Sequence, residues 1–391
     1  MGDAVLVVYK IRCKNMKNVV IVTWIGGGNY GTSLQSFALH KKLTDLGYNT
    51  SIVIPLHPIK NKLKSFTVRA LTFVGLSSAR IKRLLKGDTR TSKQRKLDRF
   101  EEQYCKKTIC FPFQLSLLNR NTDVYVTGSD QIWNTAYRFD SFYFLDFASN
   151  VKRVAYASSM GINDFPEEHK PKVRNLLAKF SQIGVREETA VISISKLLNS
   201  DNVCQVLDPT FLLDKKEWIA LSEKAEIEFE LPSRFIFCYF VGNNPWYVEQ
   251  VETVIRATGI QNVIQVCLNK ENCVILSDAD GSSILYMDAG PLEFVKLINA
   301  STFVCTDSFH ATAISINLEH DFVEFMRFKD SDKSSQNSRI YDVLNHYGLS
   351  SRIYDKEKTE WAESIEYNEV TKKLESDRKE SVDFLINAIE K

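Results

Sequence analysis

Glycine and proline are scarce in this 391-residue chain, at 16 and 9 residues. Beside a hydrophobic share of 44%, that scarcity excludes extended disorder and points to packed structure. No run of 18 apolar residues occurs, so no transmembrane helix is read from the sequence. The apolar patch AVLVVYKIRC near the start has neither the cationic opening nor the small-residue cleavage site of a signal peptide. The chain is therefore expected to be cytoplasmic. Its eight cysteines (Cys13, Cys105, Cys110, Cys204, Cys238, Cys267, Cys273 and Cys305) form no CxxC pair and keep no ligand spacing to the six histidines. No metal site is read from them, and they are expected to be reduced and mostly buried. Net charge is also nearly missing, with 50 basic residues against 48 acidic ones. Total charge gives no argument for nucleic acid, and no nucleic-acid motif accompanies it. Neither a repeat of solenoid period nor a low-complexity tract is present.

What the chain has in quantity is alternation of short β-branched runs with helical stretches. NVVIVTW, then TSLQSFALHKKLTDLG ending on Gly47, then TSIVI reads as a βαβ unit. DVYVTG (123–128), RVAYAS (153–158), QIGVR (182–186) and CQVL (204–207) continue with the apolar character of a parallel sheet covered on both faces. A second series starts at RFIFCYFVG (234–242) and runs through NVIQVC and FVCTD. The predicted fold class is α/β, two Rossmann-like domains (16–215 and 216–391) facing a cleft, the second ending in an amphipathic C-terminal helix. Residues 1–15 read as an extension upstream of Met16. From Lys60 to Arg120, sixteen basic residues face four acidic ones. That composition fits a solvated basic helical insertion, or a surface drawn to an anionic membrane leaflet or a lipid-linked pyrophosphate. On the second reading Lys82, Arg83, Lys86, Arg95 and Lys96 carry the attraction.

GGGNYG (26–31) spells a dinucleotide-binding turn, yet the second strand ends in SIVIPLH with no acid to take a ribose. A nicotinamide cofactor is set aside. The turn then serves the backbone or faces an anion or sugar, with Asn29, Tyr30 and Gln35 at its rim. Ligands of open parallel sheets bind beyond the strands' carboxyl ends, which directs attention to four further places. GSDQIWN offers Ser129, Asp130, Gln131 and Trp133, hydrogen-bonding groups beside an aromatic platform, as a sugar requires; the structural alternative is a helix cap and a core tryptophan. GVREETA ends a strand on Arg186, suited to a carboxylate or phosphate, or else to a salt bridge with Glu187, Glu188 or Asp208. In CTDSFHATAISI, Asp307 or Ser308 caps a helix and His310 falls in its first turn, where bound anions are favoured. Arg339 of SRIYDVL opens another helix and is placed to reach the same anion.

Taken in order, NYGTSLQSFALHKKLTDLGY, GSDQIWN, GVREETA with VLDPTFLL, CTDSFHATAIS and SRIYDVL resemble the signature of the polysaccharide pyruvyl transferases, over roughly Met16 to Leu349. The resemblance implies a glycosyltransferase B-like fold and transfer from phosphoenolpyruvate onto a hexose as a ketal, commonly across O4 and O6, with no redox cofactor. It implies His310 as general acid and Arg186 as a donor-binding residue, with Ser308, Phe309 and Arg339 beside the donor. Asp130 is expected to act as base, facing an acceptor held by Asn29, Tyr30, Gln35, Ser129, Gln131 and Trp133. One departure stands out. Some members carry an arginine two residues before the histidine, where this chain has Ser308, so the missing charge has to come from elsewhere. The expected acceptor is a lipid-linked or soluble precursor of a bacterial surface polysaccharide. Two rival readings are a sugar-nucleotide-dependent glycosyltransferase on the same scaffold and a non-catalytic carbohydrate-binding protein. The sequence leaves the oligomeric state open.

Overall fold

The computed structural model describes residues 16–55, 89–274, 283–329, 332 and 336–391. The first domain is a seven-stranded parallel sheet of β1 (Asn18–Val22), β2 (Asn49–Pro55), β3 (Lys107–Cys110), β4 (Val124–Thr127), β5 (Lys152–Ser158), β6 (Gln182–Val185) and β7 (Val203–Gln205), ordered β3-β2-β1-β4-β5-β6-β7. The second is a five-stranded parallel sheet of β8 (Ile236–Tyr239), β9 (Val263–Val266), β10 (Ser283–Tyr286), β11 (Phe303–Thr306) and β12 (Phe322–Glu324), ordered β10-β9-β8-β11-β12. In both, strand order reverses once, between β1 and β4 and between β8 and β11. Such reversals open the crevices in which doubly wound sheets bind ligands. Two Rossmann-like domains are thus what the alternation predicted, and their glycosyltransferase B-like arrangement is what the family resemblance implied.

The helices that matter for the site are α1 (Tyr30–Asp45), α2 (Ser92–Tyr104), α3 (Leu115–Leu118), α4 (Lys170–Leu177), α5 (Glu188–Leu198), α6 (Lys215–Ser222), α7 (Tyr247–Thr258), α8 (Pro291–Ala300), α9 (Phe309–Leu318), α10 (Ser338–His346) and α11 (Tyr367–Glu390). α1 is buried on nearly every side, as expected of a helix whose small and apolar residues run right round it. It lies between the sheets, where Tyr30 stacks on Phe294 of α8 with centroids 4.8 Å apart. One apolar core therefore runs from Val19 and Ile21 through α1 to Tyr239 and Phe294. α9 is buried along its whole length, which fixes the residues at its start.

Several sequence expectations need correction. The described part of the basic stretch is not a helical insertion alone, because β3 joins the first sheet beside β2. α2 ties the domains together: Lys93 Nζ donates to the carbonyls of Cys267 (3.1 Å) and Leu268 (2.8 Å), and Lys96 pairs with Glu293 (3.0 Å) and Glu228 (3.0 Å). Lys96 is consequently engaged within the protein, whereas residues 1–15, Lys82, Arg83 and Lys86 lie outside the described residues. α11, numbered with the second domain and free on sequence grounds to pack on either, contacts both: Tyr367 donates to the His320 carbonyl (2.6 Å) and Arg378 Nη2 to Asn317 Oδ1 (3.0 Å) in the second, and the rest of the helix reaches the first. Gly184 leaves room for the Phe384 ring, the Leu207 N–H donates to Ser381 Oγ (3.0 Å), and Lys17 and Lys152 reach the Ile389 carbonyl. The cysteines are not all reduced, since the chain turns back within six residues and brings Cys267 and Cys273 to a Cα separation of 5.5 Å as a disulfide. Cys204 is exposed, while Cys105, Cys110, Cys238 and Cys305 are buried. Among the described residues no helix is long and apolar enough to cross a membrane.

Candidate active site

The strand ends of both domains converge on His310. Ser308 caps α9, accepting from the Ala311 N–H (3.5 Å), which leaves His310 in the first turn. Its ring is buried and packs on the first turn of α1. A Cβ at position 31 would overlap Nδ1 and Cγ of the imidazole, so glycine there is a condition of the domains' approach. Gly31→Ala is expected to displace the ring or part the helices, costing roughly 1–3 kcal/mol. Thermal denaturation alongside turnover would read this; an unaltered Tm and rate would show that the two helices tolerate separation.

Two carboxylates flank the ring. Asp208 follows β7 and has Oδ2 3.9 Å from His310 Nε2. That oxygen accepts from Ser129 Oγ (2.8 Å) and Arg186 Nη1 (3.1 Å), and Oδ1 accepts from the Thr210 N–H (3.0 Å) and Oγ1 (2.7 Å). Asp130 follows β4 with φ 68°, a left-handed conformation that Asp tolerates better than most residues, and accepts from Thr32 Oγ1 (3.1 Å). Burial lowers the His310 pKa, against the opposing pull of Asp208 and Asp130. Burial would raise the Asp208 carboxyl, but His310, Arg186 and the Thr210 donors outweigh it and hold it below the usual range. At 3.9 Å the contact between Nε2 and the Asp208 carboxylate is electrostatic and too long for a hydrogen bond.

Arg186, at the end of β6, is fully engaged. Nε donates to Glu187 Oε1 (3.1 Å), Nη1 to Asp208, and Nη2 to Ser159 Oγ (2.9 Å), while the guanidinium lies 4.4 Å from the Phe309 centroid. Burial opposes its charge, but Glu187 and Asp208 more than compensate and its pKa is raised. The salt bridges considered from sequence are therefore real, and they orient the guanidinium. Arg339, in the first turn of α10, differs. It is buried and has no carboxylate partner among the described residues; its Nε donates to the Gln336 carbonyl (3.4 Å) and its Nη2 to Gln336 Oε1 (2.9 Å), which also accepts from Gln131 Nε2 (2.9 Å) across the domain boundary. Burial, then Arg186 and Arg327, hold its pKa down to about 9. His310 Nε2 is likewise buried without a hydrogen-bond partner.

The acceptor residues named from sequence fare less well. Tyr30 is wholly buried, with its hydroxyl on the Ala289 carbonyl (2.9 Å). Gln35 is spent on Thr23 Oγ1 (3.0 Å), the Trp24 carbonyl (3.1 Å) and the Ser129 N–H (3.3 Å). Trp133 fills the outer core and donates Nε1 to the Tyr143 carbonyl (3.1 Å), so it is no sugar platform. Ser129 is buried and serves Asp208. Asn29 caps α1, accepting from the N–H groups of Gly31 (2.8 Å) and Thr32 (3.4 Å). The glycines before it all have φ between 78° and 91°, so they serve the turn itself. Asp307 does not cap α9; its carboxylate binds the N–H groups of Val241 (2.6 Å) and Gly242 (2.7 Å) and Arg327 Nε (3.1 Å). Arg327 was missed. It brings a cation beside position 308 from 19 residues further along the chain, with only its place just after β12 as a signal.

Two cavities flank this centre. One of about 370 Å³ is lined by Arg186, Asp208, Phe309 and Arg339 together with α10 and α11. Another of about 390 Å³ lies beyond β1 and β2, between the glycine turn and Tyr143, with Asn29 and Thr32 on its wall.

Comparison with solved structures finds distant likenesses, among them matches at 10–12% identity. They include a UDP-GlcNAc 2-epimerase from Neisseria meningitidis (11% identity, 95% of this chain and 100% of that one, TM-score 0.49) and one from Methanocaldococcus jannaschii (12%, 91% and 98%, 0.47). A glycosyltransferase from Rickettsia africae matches at 11% identity over 96% and 99% with a TM-score of 0.47. No curated protein matches. The family model for polysaccharide pyruvyl transferase, in contrast, matches residues 29–323, a span that begins at the cap of α1, takes in Asp130, Arg186, Asp208 and His310, and ends within β12. With three quarters of its length inside that match, Asp130, Arg186, Asp208 and His310 included and Arg327 and Arg339 just beyond it, the chain belongs to the polysaccharide pyruvyl transferase family.

Proposed function

We propose that this protein transfers the enolpyruvyl group of phosphoenolpyruvate onto two hydroxyls of a hexose, forming a ketal and releasing phosphate. The observation that carries the reading is Arg339, a buried guanidinium that bonds to Gln336 and lacks any carboxylate partner among the described residues, set beside a buried imidazole with an unpartnered nitrogen. A buried cation without a counter-charge is costly unless a ligand supplies one. Arg339, with the start of α9, receives the donor's anionic groups, and Arg327 stands in for the arginine that some relatives carry before the histidine.

The bonds follow. Imidazolium His310 gives a proton to the methylene carbon of the donor, making the neighbouring carbon electrophilic. One sugar hydroxyl adds there as a carboxylate flanking the ring, Asp130 or Asp208, accepts its proton, the bond to the phosphate oxygen breaks, and a second hydroxyl closes the ketal. The two hydroxyl protons end on the new methyl group and on phosphate, so no redox cofactor is required. Asp208, 3.9 Å from Nε2, acts through His310 by stabilising the imidazolium. The acceptor is a hexose, read as galactose bridged across O4 and O6, of a lipid-linked surface-polysaccharide precursor, with the basic stretch holding the protein at an anionic membrane face.

The test is incubation of purified protein with phosphoenolpyruvate and galactosides, following phosphate release and the product mass. Phosphate released together with a pyruvyl ketal is the expected result. Turnover of a UDP- or GDP-sugar with indifference to phosphoenolpyruvate would replace this reading by a glycosyltransferase.

A further inference from the structure

The buried tyrosine, glutamine and tryptophan leave the acceptor without a site, and the 370 Å³ cavity offers one. It is bounded by the ends of β6 and β7, by α10 and by α11, and falls within the usual range of small-ligand sites, roughly 300–1,000 Å³. Its charged lining is mostly acidic: Glu187, Asp208, Asp342, Asp377 and Glu380 against Arg186, Arg339 and His346. The pairs Arg186–Asp208 (3.1 Å) and His346–Asp377 (2.6 Å) are internal. Glu380 is exposed to water, which leaves two buried carboxylate oxygens. Glu187 Oε2 and Asp342 Oδ2 are both buried without a hydrogen-bond partner, and Glu187 itself is 3% exposed. Phe309, Phe211 and Phe384 provide an apolar wall.

We propose that this cavity is the acceptor site, holding a neutral, hydroxyl-rich sugar ring that donates to Glu187 and Asp342 and lies against the phenyl wall. The inference rests on the transferase reading above and adds where the sugar sits. Unpaired buried acceptors call for donors, which sugar hydroxyls supply and an anionic donor substrate does not. The cavity shares Arg186, Asp208, Phe309 and Arg339 with the surroundings of His310, so a bound hydroxyl faces the donor. The other cavity lacks this invitation, since Asn29 Oδ1 is occupied by two N–H groups, Thr32 Oγ1 donates to Asp130, and the Gly26 N–H donates to Glu101 (3.0 Å). α11 then has a role beyond packing, as one wall of the sugar site. Burial, with the charges of Glu187 and Glu188, raises the Asp342 carboxyl to about 6, so it is partly protonated in mildly acidic solution.

Saturation-transfer NMR with p-nitrophenyl β-D-galactopyranoside as probe tests the placement without requiring turnover, and calorimetry gives the phosphoenolpyruvate Kd on the same proteins. Val343→Phe, which fills the cavity from α10, should abolish transfer to the galactose ring protons. Asp342→Asn should weaken galactoside binding about tenfold, equal to about 1.4 kcal/mol, and both should leave the phosphoenolpyruvate Kd within twofold. Trp24→Ala, in the other cavity, should retain galactoside binding. Galactoside binding unchanged in both α10 variants, lost in Trp24→Ala, or absent from the wild type would each overturn the placement. Failure of the wild type to bind phosphoenolpyruvate would instead strike the donor reading, while the galactoside results still decide the cavity.

Discussion

With glutamine in place of His310, kcat for phosphate release falls about 10²–10⁴-fold, the usual contribution of a positioned proton donor, while the fold is retained. Glutamine keeps a polar, similarly sized group against Gly31 but has no proton to give. Because His310 Nε2 makes no hydrogen bond in the free protein, its loss breaks nothing that supports the fold. Asp208→Asn should share the defect in part. It removes the charge that favours the imidazolium, so the limb of kcat/KM that falls with rising pH moves to lower pH, an effect a purely structural role would not produce. The sign for the wild type is set by burial, which lowers the His310 pKa. In the free protein the proton is therefore lost below the ordinary value of about 6.5. An anionic donor beside the ring favours the charged form, so donor binding takes up a proton and affinity declines as pH rises. A variant with undiminished kcat would exclude the imidazole as the acid.

Arg186 and Arg339 should fail in opposite ways when replaced. Arg186→Leu strands the buried carboxylates of Asp208 and Glu187, a loss on the order of 3–5 kcal/mol, read as a lowered denaturation midpoint at neutral pH. Arg339→Gln removes a buried cation that has no carboxylate partner among the described residues, so stability holds or rises. Its donor Kd rises, by about 1.5–3 kcal/mol for hydrogen bonds between charged groups. Since the Arg339 pKa is held down to about 9, wild-type donor affinity should also decline above that pH, and the glutamine variant should lack that decline. Were Arg339→Gln to lower the denaturation midpoint with an unchanged donor Kd, and Arg186→Leu to do the opposite, the assignment of the two arginines would be reversed.

The parallel sheets were legible because β-branched runs such as NVVIV and VYVT are apolar on both faces, the mark of strands covered on two sides. β3 was not, because KTIC is a short edge strand with half-exposed polar positions, embedded in a basic stretch whose composition dominates local pattern. Asp130, Arg186 and His310 could be found from sequence for a topological reason. Each lies within four residues of the carboxyl end of a strand, β4, β6 or β11, and strand ends meet at the crevice. The direction a side chain takes from such a position is decided by tertiary packing. Tyr30 and Asn29 are neighbours in the glycine turn, yet one enters the interdomain core and the other caps a helix. Ser308 and Asp307 divided their work for the same reason, with Asp307 drawn to the free N–H groups after β8 and to Arg327. No local pattern carries Arg327, Gln336 or α11 to the site; they arrive through the second domain's return to the first.

The central claim is that an anionic three-carbon donor settles between Arg339 and His310 and loads the imidazole with its proton. Calorimetric titration of phosphoenolpyruvate near neutral pH, repeated in buffers of different ionisation enthalpy, measures that proton directly. Net uptake on binding to the wild type, disappearing in His310→Gln while binding persists, is the predicted result. Binding with no uptake, or uptake undiminished in the variant, would contradict it.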